Sequence, residues 1–207
     1  MTKKLVLVST LAAAQTFVAS AQQSAPADMQ KGLAEMMKAM TAAAQANAAS
    51  AAALVDHRQL RELLPAAIPG FKRTGAKSER SGALGMTVAQ ATAEYTSEAG
   101  GRIQIQLSDL AGTGALGAMA HASWTAVDMD SESDTGYEKT MTFKGYKAME
   151  KYDNEDRSGE MNIFVAQRFS VQIEVSGADA KLLQQTAGLL DLKKLETLKP
   201  APAPAAK

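Results

Sequence analysis

Two segments alternate apolar and polar side chains without a break, and that period of two limits the fold more than any other feature of the chain. Ile103, Ile105 and Leu107 are interleaved with Arg102, Gln104, Gln106 and Ser108. Phe169, Val171, Ile173 and Val175 are interleaved with Ser170, Gln172 and Glu174. Successive side chains of a strand point to opposite faces, so each segment is a half-buried strand. A sheet solvated on one face is antiparallel, because parallel strands are covered on both faces and apolar throughout. Weaker alternation predicts further strands over 84–96, 137–143, 147–152 and 161–165. Gly145 turns one pair, and a tight turn near Gln167 joins another.

Between the strands the apolar spacing switches to that of helices. Asp56 caps a short helix whose Leu60, Leu63 and Leu64 share a face, and Pro65 stops it. Leu116, Met119, Ala120, Ser123, Trp124 and Val127 define a second helix, with Trp124 expected in the core. Leu182, Leu183, Leu189, Leu190 and Leu195 define a last one. The expectation for residues 56–197 is an α+β domain, an antiparallel sheet of about five to six strands flanked by helices. Residues 198–207, with Pro200, Pro202 and Pro204, form an extended Pro/Ala-rich tail.

Ahead of that domain lie two segments of different character. Lys3 and Lys4 precede the apolar run Leu5–Ala14, and the small pair Ala19 and Ala21 follows. Charge, short apolar run and small-x-small site make residues 1–21 a secretory signal peptide, cleaved before Gln22. The run is shorter than the roughly 20 residues a membrane span needs. The chain has no cysteine, so neither a disulfide nor a lipidated thiol is available. A periplasmic or secreted protein resting on an ordinary apolar core is expected.

Residues 22–55 are rich in Ala and Met. Leu33, Met36, Met37, Met40, Ala44, Ala51, Leu54 and Val55 share one helical face, opposite Lys31, Glu35 and Lys38. A continuous helix over 28–55 would be about 42 Å long, more than a domain of this size covers, so self-association or docking of a protein partner is expected there. Met29, Met36, Met37 and Met40 have thioethers suited to Cu(I), but their sharing of a face with Leu33 makes packing the better account.

Charge excludes some partners. The 22 basic and 22 acidic residues balance, and removal of Lys3 and Lys4 leaves a mature chain slightly acidic. No basic field attracts nucleic acid or anionic lipid. Gly112-x-Gly114-x-x-Gly117 with Glu132 twenty residues on matches a dinucleotide fingerprint. It follows an alternating strand rather than a doubly buried one, and no apolar strand follows its helix, so the glycines are read as a turn. No cofactor is expected. His57 and His121 have no partner pattern, and no nucleophile–base pair is evident, so the chain is not expected to be an enzyme.

The one metal-like pattern is acidic. Asp128, Asp130, Glu132 and Asp134 precede one strand, and Asp153, Glu155 and Asp156 follow the next. A hairpin about Gly145 would bring both loops to one end of the sheet, where clustered carboxylates could take Ca²⁺. The EF-hand spacing fails: Ser133 stands where Gly is needed and Lys139 where Glu is needed.

The run Asp56 to Pro65, Pro69-Gly70-Phe71, Gly136 to Lys139, Gly145 to Ala148 and Asp191 to Leu195 resembles a group of exported bacterial proteins of unknown activity. The likeness spans residues 56–197 and implies no site residues. In outline the layout also resembles Mog1/PsbP-type domains, a likeness of architecture alone. The function expected is a non-enzymatic envelope binding or accessory module, with Ca²⁺ binding through the acidic loops as the alternative. Mass spectrometry of the exported product should find a chain beginning at Gln22; a native product retaining Met1 would sink the export reading.

Overall fold

Eight strands form one sheet, and the inner six carry the apolar residues that bury one of its faces. The computed structural model describes Lys38, residues 54–83 and residues 86–199. The strands are β1 (Lys72–Ala83), β2 (Met86–Thr96), β3 (Arg102–Asp109), β4 (Asp130–Ser133), β5 (Gly136–Phe143), β6 (Tyr146–Asp153), β7 (Ser158–Val165) and β8 (Phe169–Ser176). Their order is β1-β2-β3-β8-β7-β6-β5-β4, and every neighbouring pair is antiparallel. Two meanders, β1–β3 and β4–β8, therefore meet at the β3–β8 seam.

The helices are short: α1 (His57–Glu62), α2 (Gly114–Ala126), α3 (Lys181–Gly188) and α4 (Leu192–Glu196). The register places Ala91, Leu107, Val171 and Ile163 in one row and Ala93, Ile105, Ile173 and Met161 in the next, all buried. This inner face is covered by two groups. Leu54, Leu60, Leu64 and Ile68 pack over β1–β3, and Leu183, Ala187, Leu190, Leu192 and Leu195 over the other half. The Lys144–Gly145 turn has positive φ at both residues (49° and 90°), the two-residue hairpin geometry that matches strand twist.

The sequence expectation requires correction in three places. The sheet has eight strands rather than five to six, and the protein is mostly β with few short helices rather than a sheet flanked by helices and preceded by a long one. The strands that periodicity misses are β1 and β4, the two edges. Nearly every side chain of β1, and all four of β4, is exposed, so neither has an apolar face to reveal it. Second, the long Ala/Met-rich helix lies outside the described residues apart from Lys38 and its expected end, Leu54 and Val55. Those two are not helical; they are buried in the sheet core. Third, the single C-terminal helix is two, broken at Leu189, which is 47% exposed, and restarted by Asp191 capping Lys194 N. Among the described residues no helix is long and apolar enough to cross a membrane.

One buried carboxylate joins these parts. Asp109, at the end of β3, is fully buried and paired with Arg168 through Nε to Oδ1 (2.9 Å) and Nη2 to Oδ2 (2.7 Å). It also accepts from Val55 N at 2.8 Å and Ala111 N at 3.1 Å. Removing one partner of such a pair strands the other charge without its hydration, at about 3–5 kcal/mol. Asp109→Ala should therefore lose about that much stability in urea unfolding, and a loss below about 1 kcal/mol would refute the role.

Candidate functional site

The polar half of each alternating strand faces away from the helical layer. The register stacks these residues into rows across five strands. One row runs Glu94, Gln104, Glu174, Glu160, Lys151. The next runs Thr96, Arg102, Ser176, Ser158, Asp153. Together with Thr74 they line a groove of about 750 Å³. Five strands at about 4.8 Å spacing make each row about 19 Å long.

The groove exists because α2 covers only the other end of this face. Trp124 packs on Phe164, ring centroids 5.1 Å apart, and Lys147 Nζ donates to Val127 O. Both Phe164 and Lys147 lie on the outer face. Trp124 is thus half-buried outside the main core rather than within it, and its indole N–H has no acceptor among the described residues. Met119 of the same helix is 67% exposed.

Glu160 and Glu174 are direct cross-strand neighbours, an arrangement that repels. Amide donors offset the repulsion. Gln172 Nε2 donates to Glu160 Oε1 at 3.0 Å and to Glu174 Oε1 at 3.1 Å, and Asn162 Nδ2 donates to Glu160 Oε1. The other oxygen of each carboxylate has no protein donor among the described residues. Lys151 and Arg102 enter none of the ion pairs of the described residues. The lining holds four carboxylates, Glu94, Asp153, Glu160 and Glu174, against two cations, so its field is negative. No histidine lines it, and Asp153, the carboxylate opposite Ser158, has Oδ1 engaged by the amides of Glu155 and Asp156. Chemically the arrangement offers charge and hydrogen bonds rather than an activated nucleophile.

Sequence reading identified the alternation but not this groove. The available signal was the identity of the outward residues: Gln104, Gln106, Gln172 and Glu174 instead of a random polar mixture. What it could not supply was the register that aligns β3 and β8 with Glu160 and Lys151.

Of the seven carboxylates of the calcium expectation, the structure brings Asp134 toward the loop of Asp153, Glu155 and Asp156 and sets the other three along or before β4. The hairpin about Gly145 forms, and Asn154 N donates to Thr135 O, so loop 153–156 does meet the β4–β5 turn that holds Asp134. Asp130 and Glu132 instead lie along edge strand β4, opposite Lys139 and Tyr137, and Asp128 precedes that strand. Asp153 Oδ1 is taken by Glu155 N and Asp156 N at 2.8 and 2.9 Å. Among the described residues no three His, Asp or Glu side chains are grouped as a metal site requires. The glycines of the refused fingerprint serve packing. A Cβ on Gly112 would lie 2.2 Å from Thr87 O, so only glycine permits this approach to β2. His57 Nδ1 lies 2.8 Å from Ser78 Oγ, on the other face of the sheet from the groove. The methionines at 29, 36, 37 and 40 lie outside the described residues.

A second polar cluster looks catalytic but is a clamp. Glu150 is buried on the inner face, where Tyr137 Oη donates to Oε1 (2.6 Å) and Gln184 Nε2 to Oε2 (2.8 Å), with Lys139 Nζ at 3.5 Å. Both oxygens are engaged, and the cluster ties α3 to β5 and β6. Burial, and then donation to the Glu150 carboxylate, push the Tyr137 phenol far above its usual value. The raised value means the folded state holds this proton where the unfolded state has lost it. The contribution is complete below pH ~10 and declines as pH rises further. Tyr137→Phe should cost about 1–2 kcal/mol at pH 7. It should also flatten the alkaline loss of stability, measured by urea unfolding at pH 7 and above 10. An unchanged alkaline slope would count against the clamp.

No protein-family model, curated protein or solved structure matches the chain.

Proposed function

We propose that this chain is an exported, non-enzymatic binding module of the cell envelope, whose ligand lies across the uncovered face of the sheet. The observation that carries this reading is the two aligned rows of polar side chains. They extend over five strands on a face that α2 leaves open at one end. The start of the sequence supports export, through its lysines, apolar run and Ala19-x-Ala21 site.

The groove's volume falls within the range of ligand sites, about 300–1,000 Å³, but its chemistry differs from theirs. Small-molecule pockets are mainly apolar and enclose most of the ligand. Here the walls are carboxylates, amides and hydroxyls on an open surface. That suits an extended ligand that keeps much of its hydration, held by hydrogen bonds and charge. The negative balance selects a cationic one, and a basic peptide segment has the length and donors to follow a 19 Å row, a span set by about 4.8 Å per strand. Calcium, the alternative expectation, has no observation here that favours it.

Calorimetric titration at low salt with an oligolysine peptide, and with an oligoglutamate control, tests the reading. The basic peptide should bind saturably and the acidic one should not. Glu160→Gln with Glu174→Gln should weaken binding by roughly tenfold, two partly exposed charge contacts at up to about 1 kcal/mol each. Binding of both peptides alike, or an unaffected double variant, would overturn it.

A further inference from the structure

Among the described residues no strand pairs with the outer side of β1 or of β4, and these two edges carry opposite charge. Edge strand β1 bears Lys72, Arg73, Lys77 and Arg80 against Glu79. At the other edge, β4 and its flanks bear Asp128, Asp130, Glu132 and Asp134, with no Lys or Arg from 128 to 138. All four acidic residues are exposed, as are the four basic ones. The nearest cation to β4, Lys139, faces Asp130 in the register but is paired with buried Glu150.

We propose that this chain associates head to tail through these edges, with β4 of one copy adding to β1 of the next. The topology permits it without inverting a subunit. The sheet has eight strands and every neighbouring pair is antiparallel, so β1 and β4 run in opposite directions. A second copy displaced sideways in the same orientation presents its β1 antiparallel to the first copy's β4. Both inner faces then stay on the same side, and the alternation continues across the junction.

Charge selects this junction over the symmetric ones. Pairing β1 with β1, or β4 with β4, sets like charges directly opposite, which destabilises a sheet. Asp130 and Glu132 lie in inner-face rows, as do Arg73 and Arg80 of β1, so pairing β4 with β1 brings these opposite charges to one face, with Lys72 and Lys77 on the other. Val127 and Met129, 39% and 38% exposed beside β4, add apolar surface to the same edge. A contact between different patches of identical subunits forms rings when its rotation closes and filaments when it does not.

Two charge-reversed chains test this. In the first, Arg73→Glu, Lys77→Glu and Arg80→Glu make both edges acidic; in the second, Asp128→Lys, Asp130→Lys and Glu132→Lys make both edges basic. Light scattering of the full chain at low salt should show a mass that rises with concentration. The association should disappear near 1 M salt, where screening is complete within about 3 Å. Each reversed chain alone should remain monomeric, and an equimolar mixture should regain the association, which also shows that both are folded. A wild-type chain monomeric at every concentration at low salt, or reversed chains associating as wild type does, would overturn the proposal.

Discussion

The carboxylate of Asp109 ties the junction of the two meanders to the segment before α1. It lies where the two meanders join, and the three groups bound to it come from separate parts of the chain. Val55 N precedes the first helix, Ala111 N begins the crossover, and the guanidinium of Arg168 stands at the head of β8. Burying an ion costs several kcal/mol, which only full coordination offsets. Here two charge-assisted bonds and two backbone donors provide it. One of these bonds fixes the non-helical segment just before α1, where Leu54 enters the core beside Gly112.

From that junction the chain makes one long move. β3 and β4 are five strand positions apart, about 24 Å at 4.8 Å per strand. The connection covers this with a helix of 13 residues, about 20 Å long, and short flanks. Its contacts follow the sheet in order. Gly112 lies against β2, Trp124 against β7, Val127 against Lys147 of β6, and Met129 against Thr140 of β5. The crossover therefore shields one end of the outer face and leaves the other bare. The groove is a consequence of where the crossover runs, and its polarity is a consequence of the strands having been solvated on that side.

How much of this was legible depends on what each residue had to contribute. Ile103, Ile105 and Leu107 declared their strand because one face had to be buried. Lys72 to Ala83 did not, because an edge strand buries almost nothing. Gly145 marked its turn through a backbone conformation that glycine favours. Leu189 misled, since helical spacing includes it while the break before Asp191 leaves it exposed. The groove residues were visible singly as outward polar positions. Their meeting was not, because alignment of Glu174 with Glu160 is a property of the β7–β8 register, and of Glu94 with Gln104 a property of β2 and β3. The acidic run 128–134 was visible as charge, but its placement along an edge depended on a four-residue strand without an apolar member.

That short strand also governs how the edges behave. A sheet edge is a template for further strands, and exposed charge is a common defence against uncontrolled pairing. Each edge here carries such charge, which suppresses pairing with its own kind, yet the signs differ between the two. β1 offers twelve residues and β4 only four. Overlap is limited to the length of β4, so the backbone bonds gained per junction are few and side-chain charge is a large part of the total. Cross-strand pairs contribute roughly 0.2–1 kcal/mol each, too little for a junction of four to become irreversible. An edge contact built this way is reversible and sensitive to salt, unlike the long, uncharged, apolar segments that stack into fibrils.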